Sequence, residues 1–240
     1  MDLLMHCGMI SALEGFFAAE ETLLPMSVLS LELGVSLDYS HASKLRGFVG
    51  NTFRDYPILH HHVGELGYLY AYPKVQYKII SGQPFIVGIG EGSHVLNEIA
   101  PKLSVLNLGE EYNVKTKSLV HLTEVVGPCC ESKAYEFLTP WLALNEENLR
   151  LYENSNSFGK QALLRKILIG NVLSFCKGIS LTVKERLRAA VFLRPTPATY
   201  KGIEFTAFMG TFLINFNLPS MIGLGKGVSQ GFGTLRKLCP

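Results

Sequence analysis

From Met26 to Leu37 the chain reads MSVLSLELGVSL, with apolar side chains at nearly every second position and β-favouring residues throughout. A period of two predicts a half-buried strand. The period then changes. In HASKLRGFVGNTFRD (41–55), Leu45, Phe48, Val49 and Phe53 recur at helical spacing, which predicts a helix with one apolar face. KVQYKII (74–80), the turn SGQP and FIVGIG (85–90) read as a β-hairpin. SHVLNEIAPKLSVL (93–106) predicts a helix capped by Ser93 and kinked or ended by Pro101. SLVHLTEVVG (118–127) returns to strand character. The order β-α-β-β-α-β is that of a ferredoxin-like unit.

The second half starts the cycle again. YEFLTPWLAL (135–144) reads as a strand and KQALLRKILIGNVLSFC (160–176) as an amphipathic helix. RAAVFLRP (188–195) and IEFTAFMGTFLINF (203–216) predict two more strands, and TLRKL (234–238) a short last one. LRGFVGN (45–51) and LRKILIGN (164–171), one in the first helix of each half, form a faint internal echo. For a second helix in this half only LPSMIG (218–223) is available, and it is too short. The expected fold is α+β, with two tandem ferredoxin-like domains. The expected division is residues 1–25 as an N-terminal extension, 26–112 as the first domain and 113–240 as the second. The boundary is expected near residues 107–117, where LNLGEEYNVKT reads as a linker.

A chain of 240 residues, 48% of them hydrophobic, is long enough for two such cores. No apolar run reaches the roughly 20 residues that span a bilayer. Asp2, Glu14, Glu20 and Glu21 precede the first basic residue, Lys44, which argues against a secretory signal. The 5 cysteines are odd in number, two are adjacent, and none forms C-x-x-C. Neither a disulfide framework nor a zinc site fits that pattern, and a reducing cytoplasm suits it. The net charge of +2 conceals an asymmetry. Residues 1–153 carry 10 Lys/Arg against 18 Asp/Glu, whereas residues 154–240 carry 12 against only Glu185 and Glu204. A C-terminal third this basic suits a polyanion, nucleic acid first. The competing reading pairs the basic half with the acidic one.

Two stretches offer chemistry. GLGKGVSQGFG (223–233) has five glycines in eleven residues, with Lys226 among them. Backbone N–H groups exposed by such a loop bind phosphate. The stretch fits neither the Walker A spacing nor the dinucleotide fingerprint, and a tight turn that needs several positive φ angles explains it equally well. HHH at 60–62 is the second stretch. It reads as a solvated loop, as a metal site without a supporting carboxylate or cysteine, or as an acid–base pair. Imidazoles near neutral pKa can take a proton from a ribose 2′-hydroxyl and give one to a leaving oxygen, with no metal.

The pattern G-h-G-x5-G-h-G, with h hydrophobic and a basic residue among the five, resembles the signature of the RAMP superfamily of CRISPR-associated proteins. The wider set is more specific: KLRGF (44–48), H-x-H (60–62), YPKVQYK (72–78), the IVGI…EG stretch (86–92), YEFLTPWLALN (135–145) and the closing glycine run. Together these resemble the CRISPR repeat-RNA-processing endoribonucleases, in the form typical of subtype I-B systems, over residues 27–238. The resemblance implies tandem ferredoxin-like domains and cleavage without metal or cofactor. The products would be a 2′,3′-cyclic phosphate and a 5′-hydroxyl. It places catalysis at His60 and His62, with His61 as an insert between them. Tyr70, one of the tyrosines 68, 70 and 72 that follow, is the third catalytic candidate, stacking on or orienting the phosphate. Lys44 and Arg54 are candidates for an assisting basic residue by position. The expected RNA track is Gly223, Gly225, Lys226, Gly231, Gly233 and Arg236, continued by Arg165, Lys166 and Lys177. The implied partners are CRISPR repeat RNA and other subunits of a type I-B effector complex, in a prokaryotic cytoplasm with no membrane. The alternative is a RAMP subunit that binds guide RNA without cutting it.

Overall fold

Thr22–Glu32 forms β1, paired antiparallel with two later strands. The computed structural model describes residues 21–59 and 72–238, so the histidine run and Tyr68 and Tyr70 lie outside the described residues. The first unit continues with α1 (His41–Thr52), β2 (Val75–Ile80), β3 (Gln83–Ile89) and α2 (Glu91–Ile99). A small hairpin of β4 (Val105–Asn107) and β5 (Glu111–Asn113) follows. The long strand β6 runs from Thr116 to Phe137. After it come α3 (Glu146–Glu153), α4 (Ser157–Gly178), β7 (Ala189–Tyr200), β8 (Ile203–Asn217) and β9 (Leu235–Leu238). No described helix is long and apolar enough to cross a membrane.

The main sheet runs β2-β3-β1-β6-β8-β7, with β9 also paired to β6. All of its pairings are antiparallel. Within it, β6-β1-β3-β2 has the 4-1-3-2 strand order of a ferredoxin-like unit, and β9-β6-β8-β7 repeats that order. One strand therefore closes the first unit and opens the second. Residues 116–126 of β6 pair with β1, and residues 127–136 pair with β8 across a register shift between Pro128 and Lys133.

Several sequence expectations change here. The strands expected at 118–127 and 135–144 are two ends of β6, which absorbs Gly127 and Pro128 at its bulge; beyond Phe137 only isolated bridges form, at Trp141 and Leu142. The expected linker 107–117 builds β5 and the start of β6. Ser93 is not a cap: Gly90 holds that position, while the buried Ser93 hydroxyl hydrogen-bonds Ser27 at 2.6 Å. α3 was not anticipated. Its N-cap Asn145 accepts from the Asn148 amide at 2.7 Å. Residues 218–223 form no helix, so the glycine-rich loop takes the second helix's place in the second unit.

Each face of the first unit's sheet has its own core. On one side α1 and α2 cover Leu29, Leu31, Val75, Tyr77 and Ile86 with Leu45, Val49, Leu96 and Ile99. On the other, Leu24, Met26, Val87 and Ile89 join a core built mainly by the second unit. There α4 presents Leu164, Leu168, Val172 and Phe175, spaced three and four apart, to Phe208, Phe212 and Phe216. The units are fused through apolar packing as well as through a strand.

Candidate RNA-binding cleft

The glycine-rich loop is held from three sides by hydrogen bonds. Within the loop, the Leu224 amide donates to the Gly233 carbonyl at 3.0 Å. From the segment after β6, the Lys226 amide donates to the Leu142 carbonyl at 3.1 Å and the Gly233 amide to the Pro140 carbonyl at 2.9 Å. From the first unit, the Tyr72 hydroxyl donates to the Gly223 carbonyl at 2.7 Å, and the Gly223 amide donates to Gln76 Oε1 at 3.0 Å. Two glycines are required sterically. A Cβ on Gly225, at φ 88°, would lie 2.7 Å from Trp141 Nε1, and one on Gly233, at φ 62°, would lie 2.0 Å from the Leu224 carbonyl oxygen.

Beneath the loop lies a buried cation. Lys78 is fully buried on β2, and its ammonium donates to Gln76 Oε1 and Thr234 Oγ1, each at 3.0 Å. Among the described residues no carboxylate pairs with it. Loss of water therefore pulls its pKa down to about 7. Thr234 also donates to the Gly231 carbonyl at 3.0 Å, and Thr139 donates to the same carbonyl at 2.6 Å. The chain Tyr72–Gln76–Lys78–Thr234 thus ties β2 to the loop through satisfied polar groups.

The loop's outer side forms one wall of a cleft of about 480 Å³. Gly225, Lys226 and Gly227 supply that wall; Tyr72 and Pro73 supply a second, Ser174 of α4 a third, and the β7–β8 hairpin tip the fourth. Tyr72 is the first described residue after the histidine-bearing stretch. Its ring packs edge-on to Phe175 at 5.0 Å, and burial pushes its hydroxyl pKa up. Next to it, Lys74 caps the end of α4 by donating to the Gly178 carbonyl at 2.5 Å, and partial burial lowers its pKa. The stretch begins after Leu59, a buried residue whose carbonyl accepts from the Tyr77 hydroxyl at 3.2 Å. Both anchors of residues 60–71 are therefore buried.

The residues expected from sequence divide accordingly. Lys226 is exposed and lines the cleft, and Gly225 lines it too. Gly223, Gly231 and Gly233 are buried; they pack the loop and do not open backbone to the surface. Arg236 is exposed and paired with Glu136 across the β9–β6 ladder. On α4, Lys177 is exposed one turn beyond Ser174, and Lys166 lies about 12 Å back along the axis. Arg165 sits about 180° around the helix from Ser174. Lys44 and Arg54 are exposed in the first unit, outside the cleft lining, with the Lys44 ammonium beside Gly109. His60, His62 and Tyr70 lie outside the described residues. Sequence reading missed Gln76, Lys78 and the aromatic hairpin tip. Tyr72, grouped with the stacking tyrosines, is an anchor.

Two ferredoxin-like units sharing a strand, with a glycine-rich loop closing on a cleft that Lys201 and Lys226 line, form the fold that the resemblance to RAMP proteins implies. Residues 24–124 match the Cas6b N-terminal domain and residues 129–238 the Cas6b C-terminal domain. A crystal structure of Cas6b is similar at 32% identity and TM-score 0.84, covering 90% of this chain and 100% of that one. A crystallised CRISPR RNA processing endoribonuclease Cas6b is similar at 30% identity and TM-score 0.74, with the same coverage. An uncharacterized protein of Methanocaldococcus jannaschii is 40% identical over 142 residues, 58% of this chain and 97% of that one. The chain belongs to the Cas6b family.

Proposed function

We propose that the protein is an endoribonuclease that processes CRISPR RNA, cutting the repeat by attack of a ribose 2′-hydroxyl. Family membership carries the coarse part of this reading. The observation that supports the rest is the anchoring of the histidine-bearing stretch: its C-terminal end, Tyr72, is hydrogen-bonded to the glycine loop and forms a wall of the basic cleft. RNA lying on Lys226 and Lys201 is held beside Tyr72, where that stretch ends. One of His60 and His62 removes the 2′-hydroxyl proton, and the oxygen attacks phosphorus. The P–O5′ bond breaks, and the other histidine protonates the leaving oxygen. The pieces end in a 2′,3′-cyclic phosphate and a 5′-hydroxyl. Tyr70 orients the phosphate, and Lys177 and Lys166 extend the track along α4. The mature RNA passes to the other subunits of a type I-B effector complex.

Single-turnover cleavage of repeat RNA in chelator tests this. His60→Ala and His62→Ala should each slow cleavage by about 10²–10⁴-fold, with RNA affinity nearly unchanged. A 2′-deoxy nucleotide before the scissile bond should be bound and left uncut. Cleavage of that deoxy substrate, or loss of cleavage in chelator on normal RNA, overturns the mechanism. Tight binding with no cleavage at all would favour the non-catalytic RAMP subunit.

A further inference from the structure

The tip of the β7–β8 hairpin turns through Lys201 and Gly202, between the paired residues Tyr200 and Ile203. Tyr200 and Phe205 stand edge to face, 6.1 Å between centroids. The Lys226 ammonium reaches across from the glycine loop to 4.5 Å from the Phe205 centroid and 5.6 Å from that of Tyr200. The Lys201 ammonium lies 5.6 Å from the same Tyr200 ring. Neither lysine has a carboxylate partner among the described residues, and the hairpin's own acid, Glu204, is exposed and outside the cleft lining. The rings are fixed from behind. Phe232 packs edge-on to Tyr200 at 5.4 Å, and a Cβ on Gly227 would come within 2.9 Å of Phe232 and 3.1 Å of Tyr200.

Two cations gathered on one ring without a counter-ion leave positive charge uncompensated next to flat apolar surface. A ligand that answers both features carries an anion and a planar ring together, as a nucleotide does. A simple anion would leave the rings unused, and an apolar ligand would leave the charges unused. We propose that this cleft is a base-reading subsite: one unpaired nucleotide of the RNA lays its base against Tyr200 and Phe205 and its phosphate between Lys226 and Lys201. The nucleotide is unpaired because a base inside a helix has both faces covered by its stacked neighbours. On binding, the Lys226 ammonium leaves the Phe205 ring and follows the phosphate. Tyr72 and Pro73 form the facing wall. This inference rests on the RNA-processing reading above.

Abasic scanning tests it. A single abasic nucleotide is moved through the unpaired positions of the repeat RNA, and affinity is measured at fixed salt for the unsubstituted protein, Phe205→Leu and Tyr200→Leu. At one position the abasic change should weaken binding about five- to hundredfold, the range that one base–aromatic stack supplies. At that position, and no other, the leucine variants should show little further loss. 2-Aminopurine placed there should be quenched by the unsubstituted protein and much less by Tyr200→Leu. If RNA is bound and cut but every abasic position costs the variants as much as the unsubstituted protein, the subsite is overturned while the activity stands. If repeat RNA is neither bound nor cut by the unsubstituted protein, the underlying reading fails instead.

Discussion

The two units share a strand order and differ in what covers it. The first is a complete ferredoxin-like unit, with α1 and α2 closing one face over a core of its own. The second has α3 and α4 in its first crossover and, in place of a second helix, a glycine-rich loop between β8 and β9. A helix would have spent its backbone groups on itself. The loop instead anchors some of them to Tyr72, Gln76, Leu142 and Pro140 and leaves Gly225–Gly227 facing the cleft. The complete unit supplies rigidity, and the incomplete one supplies a surface.

The comparison is tested hardest by asking whether either unit survives alone. Leu168→Ala in α4 should cost about 2–5 kcal/mol, and Leu45→Ala in α1 the same range, since both side chains are fully buried. Because Leu24, Met26, Val87 and Ile89 of the first unit share one core with α4, both variants should unfold in a single step. Urea titrations followed by Trp141 fluorescence and by circular dichroism should then coincide. A Leu45→Ala protein whose Trp141 transition is unmoved would show that the units are separable.

A narrower test concerns the loop alone. Gly225→Ala adds a methyl against Trp141 and Leu142 at a positive φ, and should cost about 2–4 kcal/mol by strain and overpacking together. A denaturation midpoint equal to the unsubstituted protein's would mean that the loop is softer than its packing implies.

The smallest expected effect is pH-dependent and tests the polar tie between the units. Lys78 has a folded pKa of about 7 against an ordinary value of 10.5. Below pH 7 both folded and unfolded chains hold the proton. Between the two values only the unfolded chain holds it fully, so stability rises with pH across that window. From pH 7 to 9 the gain should be about 2–3 kcal/mol. Above that range Cys176 and Tyr72, whose ionisation burial opposes, turn the trend round. Lys78→Met should flatten most of the slope, leaving a lesser rise from Lys74, which is shifted in the same direction. An unchanged slope would place the titration elsewhere.

Periodicity made most elements legible. The alternation after Met26 marks β1, which starts earlier, at Thr22, and ends at Glu32 where 26–37 was expected; the hairpin at 74–90 and the helix around Leu164–Phe175 occur as read, because their apolar runs are bounded by turn residues. The continuity of β6 was hidden by Gly127 and Pro128, which resemble chain punctuation and are in fact accommodated at a bulge. α3 escaped because EENLRLYE buries no residue fully and so imprints no apolar stripe. At the site, Lys226 stood out as a cation among glycines. Lys78 did not, since a lysine in KVQYKII looks like the polar face of an edge strand; only the loop folded over that face makes it a buried charge. The aromatic tip was equally silent, because Tyr200 and Phe205 belong to different strands and meet only across a two-residue turn.

A β-strand has no joint. With β6 running through both units across a register shift, the described residues hold no flexible linker between the two parts of the sheet. A jaw-like closure of one unit on the other would disrupt the ladders that β6 makes with β1 and β8. The span from Tyr72 to the outer hairpin is set by backbone on both sides, a ruler more than a clamp. Adjustment to a substrate falls to side chains such as Lys226 and to the RNA, which must bring the correct phosphate to a distance already set.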